Sequence, residues 1–197
     1  MRRLSVNEWL TLDGVMQAPM SPDEDREGGF EHGGWQVPYF DDMARTYLAE
    51  GMADADGFVL GRKTFELLAS YWPTAPEEEA AVAGPLNNLP KYVASTTLTD
   101  PLEWEHSTVL RGAVVEAVAA LKNESGKDLH VIGSGDLAQT LMHHGPVDRY
   151  RLIINPIVVG SGKRLFREGA ERSALRLVES TISSTGQMIV TYETVEA

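Results

Sequence analysis

Cysteine is absent from this 197-residue sequence. Disulfide bonds and thiolate metal sites are therefore excluded. His143 and His144 are adjacent, but no third ligand accompanies them, and we predict no metal site. Because a chain without disulfides is typical of a reducing compartment, we expect a cytoplasmic protein.

Long apolar runs and an excess of basic residues are also missing. No segment is apolar for long enough to span a bilayer, and residues 1–6 pass directly into a strand-like pattern, which disfavours a signal peptide. Lys and Arg number 17 against 29 Asp and Glu, for a net charge of −12. A chain this acidic is poorly suited to general nucleic-acid binding. We therefore expect neither a membrane nor a nucleic acid as partner.

The remaining composition is that of an ordinary globular protein. Hydrophobic residues make up 43% and charged residues 23%, and the length suits one domain over residues 1–197. Short β-like runs lie at residues 4–10, 57–60, 91–95, 129–132 and 149–159. Helical spacing lies at residues 40–52, 63–70, 113–122 and 136–143. This alternation predicts an α/β fold with a mostly parallel sheet.

The remaining segments predict two connections and a terminal hairpin. Residues 13–38 are rich in Gly, Pro, Asp and Glu without periodicity, and loops of that length in compact domains are usually functional. Residues 73–88 are interpreted as an acidic, proline-containing connection. Residues 175–181 and 187–195 alternate like two antiparallel strands, so the sheet is predicted to be mixed.

Two apolar strands end in glycine just before a helix. One continues into Gly61-Arg62-Lys63-Thr64, and the other into Gly133-Ser134-Gly135. Such a strand end offers free backbone N–H groups and the positive end of a helix dipole, where phosphate binds readily. Arg62 and Lys63 add positive charge in an acidic chain. Two such ends in one domain indicate a dinucleotide held at several points.

The order of these motifs resembles the dihydrofolate reductase-like superfamily, in the branch related to the reductase domain of the bifunctional riboflavin-biosynthesis deaminase–reductase. The resemblance covers nearly the whole chain. It is carried by Thr11-Leu12-Asp13-Gly14, Trp35-Gln36-Val37-Pro38, Leu60 to Glu66, Ala94-Ser95-Thr96, Val131 to Gly135, and Pro156 to Gly162. It implies a three-layer fold with helices on both faces of the sheet and a C-terminal antiparallel hairpin.

The resemblance implies NADPH as hydride donor and suggests its contacts. Gly61, Arg62, Lys63 and Thr64 would hold the pyrophosphate, with Arg62 or Lys63 reaching the adenosine 2′-phosphate. Ser95 and Thr96 match the adenosine side. Further contacts to the pyrophosphate and nicotinamide would come from Gly133, Ser134, Gly135, Asp136 and Leu137.

On the substrate side the chain departs from the folate reductases. The position of their buried carboxylate, two residues after the proline of the Trp-x-x-Pro element, is occupied by Phe40. Dihydrofolate reduction is therefore doubtful. Trp35, Phe40 and Asp41 are the candidate substrate contacts, although Trp35 also fits a loop anchor. Asp41 and Asp13 are the candidate catalytic acids, although Asp13 equally fits an Asp-Gly turn.

These observations predict an NADPH-dependent oxidoreductase acting on a small heteroaromatic or imine-bearing molecule, such as a pterin-, pyrimidine- or flavin-like compound. One alternative is a stand-alone 5-amino-6-(5-phosphoribosylamino)uracil reductase of riboflavin biosynthesis. Others are an NADPH-binding module without turnover and a protein that binds a pterin- or flavin-like ligand without reducing it. The resemblance also implies a homodimer formed through edge strands or the apolar face of the sheet.

Overall fold

A computed structural model describes residues 1–195 of the chain. The strands are Leu4–Thr11 (β1), Ala55–Gly61 (β2), Lys91–Ala94 (β3), Ser107–Leu110 (β4), Asp128–Ile132 (β5), Arg149–Asn155 (β6), Leu175–Ile182 (β7) and Met188–Thr194 (β8). The α-helices are Asp42–Asp54 (α1), Arg62–Ala69 (α2), Ala80–Asn88 (α3), Val114–Asn123 (α4) and Gly135–His143 (α5). Short 3₁₀ turns occur in the connections.

The strands form one eight-stranded sheet in the order β4-β3-β2-β5-β1-β6-β8-β7. Every neighbouring pair from β4 to β6 is parallel. The pairs β6–β8 and β8–β7 are antiparallel. The prediction of a mostly parallel mixed sheet with a C-terminal antiparallel hairpin is therefore confirmed.

Helices cover both faces of the sheet. Because side chains alternate along a strand, Val59 of β2 packs with Val118 of α4 and Leu141 of α5. Its neighbour Phe58 points the other way and packs with Phe65 of α2. The two apolar clusters give the three-layer arrangement that the resemblance implied.

Helix α1 begins two residues later than the periodicity predicted. Asp41 is its N-cap, and its Oδ1 accepts a hydrogen bond from the backbone N–H of Ala44 at 3.1 Å. Phe40 lies outside the helix in extended backbone. An aspartate is a preferred N-cap because its carboxylate satisfies a backbone donor that the helix leaves free.

The interpretation of residues 73–88 as an irregular connection was wrong for their second half. Helix α3 forms there and includes Pro85 in its interior, where proline normally disrupts a helix. Ala83 and Leu86 are buried, and Leu86 joins the cluster around Phe58. Burial of this apolar face outweighs the cost of the proline, which local sequence patterns do not reveal.

Two strands also differ from the sequence-based expectation. β6 ends at Asn155, before Pro156, which cannot donate to the ladder, rather than at residue 159. β7 forms where the alternation predicted an antiparallel strand; such alternation is typical of a half-buried strand, but all eight residues of β7 are exposed. β7 lies at the edge of the sheet.

The segment at residues 13–38 is a loop, as predicted, with only short 3₁₀ turns. Val15 forms an isolated antiparallel bridge with Arg164, and the indole N–H of Trp35 donates to the Gln17 carbonyl at 2.7 Å. The first contact joins the loop to the segment around Arg164, and the second joins two parts of the loop to each other. Within residues 1–195, no helix is long and apolar enough to cross a membrane.

Candidate functional site

The two glycine-terminated strands are neighbours in the sheet. β2 ends at Gly61 and β5 is followed by Gly133, and the two strands are parallel. Their carboxyl ends therefore meet at one edge, where α2 and α5 both begin. The free backbone N–H groups and positive dipole ends of two helices are thus concentrated at this edge, as the sequence predicted.

Ser134 joins these two strand ends directly. The backbone N–H of Gly61 donates to Ser134 Oγ at 2.9 Å, and the backbone N–H of Ser134 donates to Thr64 Oγ1 at 3.0 Å. Ser134 Oγ in turn donates to the carbonyl of Ile132 at 2.9 Å. The serine at the middle of the turn therefore binds the two halves of the site together.

The turn also depends on close approach. Gly133 has φ of 53°, and a Cβ atom there would lie 3.3 Å from the Thr64 side chain. Ser134 adopts φ of 61° and ψ of 46°, a left-handed conformation that costs energy for a residue other than glycine. The hydrogen bonds of Ser134 offset this strain.

A cleft of about 1470 Å³ opens at this edge of the sheet. Its volume exceeds that of an ordinary small-molecule pocket, so it has room for a dinucleotide together with a second small molecule. The residues predicted to contact the cofactor all line it, namely Gly61, Arg62, Lys63, Thr64, Ser95, Thr96, Gly133, Ser134, Gly135, Asp136 and Leu137. The structure thus brings these separate motifs to one surface.

The basic side chains of the cleft are held in ion pairs. Arg62 Nη1 lies 2.9 Å from Glu66 on α2, and Lys63 Nζ lies 2.7 Å from Glu27 of the loop. Exposed pairs of this kind contribute little to stability. A phosphate group arriving at the cleft can therefore replace either carboxylate as partner at small cost.

Ser95 follows β3, beside β2, at the same edge. Its Oγ accepts hydrogen bonds from the backbone N–H groups of Thr97 at 3.1 Å and Leu98 at 3.0 Å. The hydroxyl proton is therefore directed away from these two donors. Thr96 is exposed. Both residues are placed to meet a ligand that extends along the edge from Gly61.

The first turn of α5 contributes Asp136 and Leu137. Asp136 is exposed, and its Oδ1 lies 2.6 Å from Nη2 of Arg167. Leu137 is buried with its side chain in the apolar core. It therefore shapes the cleft from below.

Phe40 lines the cleft on the side of α1. Its ring centroid lies 5.6 Å from that of Trp9, and the guanidinium carbon of Arg45 lies 4.9 Å from the Phe40 centroid. The expected position of Phe40 beside a substrate fits this geometry. Trp9, Phe40 and Arg45 thus form an aromatic and cationic wall that suits a flat ring. Phe40 itself offers no carboxylate to such a ring.

Trp35 does not line the cleft. Its side chain is buried at 5% exposure among Val15, Ala18 and Phe30. The indole N–H is already used by the Gln17 carbonyl, as buried tryptophans require. The structure therefore favours a role as loop anchor over the expected contact with substrate.

The carboxylate of Asp13 is engaged in contacts that fix the turn. It accepts hydrogen bonds from the Thr11 hydroxyl at 2.6 Å and the Gly160 N–H at 2.9 Å, and it pairs with Arg164 at 3.2 Å. Desolvation works to raise the pKa of Asp13, but the hydrogen bonds outweigh it and hold the pKa below its usual value. These contacts favour the Asp-Gly turn interpretation.

The carboxylate of Asp41 is likewise occupied. The Ala44 N–H and the Ser184 hydroxyl donate to it, and these hydrogen bonds lower the pKa of Asp41 to about 2. An acid with this pKa is ionised at neutral pH and is a poor proton donor. A catalytic role for Asp41 remains a prediction. The contacts of its carboxylate are those of a helix N-cap.

Sequence reasoning missed several residues that line the cleft from the sheet. They include Glu8 of β1, His130 of β5 and Arg151 of β6. Burial, with Arg151 and Arg149 nearby, lowers the pKa of His130 to about 3, so its imidazole is neutral. The signal available in the sequence was a charged or polar residue within an otherwise apolar strand.

The residues of the cleft fit a bound dinucleotide phosphate. Gly133 allows the backbone to approach Thr64 closely, and two helix N-termini face one surface with Arg62 and Lys63 beside them. Among residues 1–195, no group of three or more His, Asp or Glu side chains is arranged to hold a metal ion. The cleft thus offers anion binding through backbone and basic side chains.

Fold and cleft together define an α/β protein of the dihydrofolate reductase-like class. A family model described as RibD C-terminal domain matches residues 2–190, and the chain belongs to that family. This membership supports an oxidoreductase and agrees with the resemblance seen in the sequence.

Two relatives come from Bacillus subtilis (strain 168). The uncharacterized protein YyaP is 32% identical over 140 residues, which span 70% of this chain and 73% of YyaP. The uncharacterized protein YwjB is 29% identical over 122 residues, which span 62% of this chain and 64% of YwjB. Neither name states an activity.

Two solved structures share the fold. One is a protein provisionally assigned to riboflavin biosynthesis from Shewanella sp. PV-4, with a TM-score of 0.69 at 20% identity, covering 98% of this chain and 99% of the other. The second is a pyrimidine reductase-like protein from Corynebacterium diphtheriae, with a TM-score of 0.69 at 14% identity, covering 100% of this chain and 93% of the other. At these identities the likeness concerns the fold.

Proposed function

We propose that this protein is an NADPH-dependent reductase of a small heteroaromatic or imine-bearing molecule. The observation that carries the proposal is the junction of Gly61 and Ser134, which places the N-termini of α2 and α5 at one cleft. Arg62 and Lys63 would hold the 2′-phosphate, and the turn at Gly133 would support the pyrophosphate. Family membership supports the same class of reaction.

When bound, the cofactor would supply the hydride. The chain's own residues orient the reacting molecules and exclude water, and orientation alone accounts for much of the rate in reactions of this kind. Phe40 and Trp9 form an aromatic wall for the ring of the substrate. The loop at residues 13–38 borders the cleft through Ala18, Pro19 and Met20 and limits access of solvent.

A stand-alone pyrimidine reductase of riboflavin biosynthesis is the second candidate, favoured by the family model over residues 2–190. These 197 residues contain none of the cysteines that a deaminase zinc site uses. A substrate phosphate would need a basic group. Lys163 and Arg167 line the cleft, where they are paired with Asp25 and Asp136 respectively.

Binding without turnover is the candidate from another class. The specific observation behind it is Phe40, which stands where folate reductases have a carboxylate and which lines the cleft with no acid in its place. A protein of this kind would bind NADPH, or a pterin- or flavin-like ligand, and leave it unchanged.

Equilibrium binding and turnover separate these candidates. Purified protein is titrated with NADPH while the fluorescence of the reduced nicotinamide is followed. It is then mixed with NADPH and a panel of pterin, pyrimidine and flavin-like compounds, and the loss of reduced-nicotinamide absorbance is recorded. Saturable binding with oxidation supports a reductase, and the compound that reacts names the substrate class. Saturable binding without oxidation favours the binding module, and no binding of NADPH overturns the proposal.

A further inference from the structure

Glu8 lies where strands β1 and β5 separate. The last pair between these strands is Asn7 with Ile132, and the Gly133 turn follows directly on β5. β1 continues beyond this point beside β6, with Glu8 opposite Leu152. Glu8 is therefore the first residue of β1 at the opening between β1 and the Gly133 turn. In parallel sheets, ligands bind in such openings beyond the carboxyl ends of the strands.

The carboxyl group of Glu8 is buried and lacks a partner. Glu8 is 6% exposed and lines the cleft, and its Oε1 has no hydrogen-bond partner among residues 1–195. Buried polar groups are nearly always hydrogen-bonded, because a buried carboxyl group without a partner lowers the stability of the folded state. Because Glu8 also lines the cleft, its unpartnered oxygen is available to a molecule bound there.

The charges around Glu8 favour its neutral form. Burial, followed by the negative charge of Glu24 on the loop, raises the pKa of Glu8 well above its usual value. Two cations that line the cleft are paired with other carboxylates. Lys163 Nζ lies 2.6 Å from Asp25, and Arg167 Nη2 lies 2.6 Å from Asp136. Among the described residues, no ion pair involves Glu8.

The neighbouring strands bring no cation to the same side. His130 pairs in register with Ser5, and Arg151 pairs with Asn7. Since side chains alternate along a strand, both point to the face of the sheet opposite that of Glu8. Arg151 packs there with its guanidinium carbon 4.3 Å from the Tyr47 ring centroid.

We propose that Glu8 is the catalytic proton donor of this site. It lies on the other face of β1 from Trp9, against which Phe40 packs, so it acts from the opening beside β5 and not from the position of the missing carboxylate. The inference rests on the proposed function. The bound cofactor would supply a hydride to the carbon of a C=N bond, and the π pair of that bond would move to nitrogen. The Glu8 O–H bond breaks and its proton forms the N–H bond, which leaves the Glu8 carboxylate. Water at the open side of the cleft returns the proton.

The other acids of the site do not serve this purpose. Asp13 and Asp41 have lowered pKa values and carry structural hydrogen bonds. Glu24 has a raised pKa through burial, but its Oε2 already accepts from the backbone N–H of Met20 at 2.7 Å. Glu8 alone among these four combines a pKa raised well above its usual value with a buried oxygen that has no partner.

A spectroscopic test reads the protonation of Glu8 without turnover. Protein labelled with ¹³C at the glutamate side-chain carboxyl is titrated by NMR from about pH 5 to about pH 9, a window above the usual glutamate pKa. One resonance is expected to remain protonated near neutral pH, to be absent in Glu8→Gln and to be present in the exposed control Glu116→Gln. Addition of 5,6-diaminouracil as probe, with NADP⁺ present, is expected to shift it. A Glu8 resonance that is ionised at neutral pH, or unmoved by this probe, overturns the inference.

Kinetics supply the second test, with any compound of the panel that oxidises NADPH. Hydride transfer in a single turnover is expected to slow about 10²-fold or more in Glu8→Gln, the usual scale for a lost general acid. The wild-type rate should fall as pH rises through the pKa of Glu8, and the variant should lose this dependence. An unchanged rate and pH profile in Glu8→Gln overturn the inference while leaving the reductase proposal in place.

The tests distinguish failure of this inference from failure of the proposed function. If the protein is not a reductase, Glu8 keeps its proton and its resonance responds to the probe, but no compound of the panel oxidises NADPH. If Glu8→Gln does not fold, Glu8→Met supplies the resonance assignment, because an apolar side chain of similar length suits a buried position without hydrogen-bond partners. Thermal unfolding of each variant confirms that it is folded.

Discussion

Ser134 Oγ lies 2.9 Å from the backbone nitrogen of Gly61 and accepts its hydrogen bond. These residues are 73 positions apart in the chain, yet they form the floor of one cleft. The same serine holds a left-handed conformation at φ of 61°. A single side chain thus fixes the relative position of two helix N-termini.

Two substitutions of Ser134 should distinguish the stability gained from its side-chain hydrogen bonds from the stability lost through its left-handed backbone. Ser134→Ala loses both hydrogen bonds of the hydroxyl, with Gly61 and Ile132, and keeps the left-handed backbone, so we expect a loss of about 1–2 kcal/mol in the free energy of unfolding. Ser134→Gly loses the same two bonds but relieves about 1–2 kcal/mol of strain, so it should lie within about 1 kcal/mol of the wild type. Urea unfolding measures both. Equal stability of the alanine variant and the wild type would contradict the role assigned to Ser134.

Arg62 and Lys63 should discriminate between the phosphorylated and unphosphorylated dinucleotides. Replacing both with alanine is expected to weaken NADPH binding about tenfold or more, because charge-assisted contacts to the 2′-phosphate disappear. NADH, which lacks that phosphate, should be affected much less. Fluorescence titrations with both cofactors provide the measurement, and Arg172→Ala is the exposed control. Equal losses for the two cofactors would place the 2′-phosphate elsewhere.

Glu27 should compete with the cofactor for Lys63. Its carboxylate contacts both Lys163 and Lys63, and hydrogen bonds from these two lysines lower the pKa of Glu27 to about 2, so it is ionised throughout the neutral range. Glu27→Gln is expected to bind NADPH about two- to fivefold more tightly at low salt, the scale of one exposed ion pair. The gain should shrink as salt screens the charges. Weaker binding in this variant would instead indicate that the ion pairs help to assemble the site.

His130 should make the protein sensitive to acid. Its pKa is about 3 in the folded state, because of burial and the nearby charges of Arg151 and Arg149, against about 6.5 in the unfolded chain. Between these values the unfolded state binds more protons, so stability falls as pH falls from about 6.5 towards about 3. In His130→Gln, the difference in bound protons between the unfolded and folded states should be smaller by about one. The slope of the unfolding free energy against pH, measured by urea unfolding, reports this difference. The exposed control His144→Gln should leave it unchanged, and a wild-type slope in His130→Gln would show that His130 is not buried neutral.

The exposed strand β7 supports the homodimer expected from the resemblance, and we propose it as the contact. Leu177 is 49% exposed, and Ile182 is 69% exposed. An uncovered edge strand with apolar side chains tends to pair with another chain. Leu177→Lys with Ile182→Lys should shift a dimer to monomer in sedimentation experiments, while Thr108→Lys on the opposite edge strand β4 should not. A monomeric wild type, or a dimer broken only by the β4 change, would contradict this.

Local sequence patterns were sufficient for most of the fold. The parallel strand–helix units and the terminal hairpin follow from hydrophobic periodicity and glycine positions, which are local properties of the chain. Helix α3 could not be predicted in this way, because the burial of Leu86 against Phe58 overrides an interior proline. The exposure of β7 could not be predicted either, because alternation alone does not reveal which strand lies at an edge of the sheet.

By itself, the sequence determined the two glycine-terminated strand ends that line one side of the cleft. A strand ending in glycine before a helix creates free N–H groups wherever it occurs, so Gly61 and Gly133 were recognisable without a structure. Only the tertiary structure decided which carboxyl group is free of structural hydrogen bonds and can donate a proton. Asp13 and Asp41 are occupied by hydrogen bonds, and Glu8 is buried where β1 and β5 separate. The protonation of a carboxyl group depends on its burial and neighbours, and those are set by contacts between distant segments.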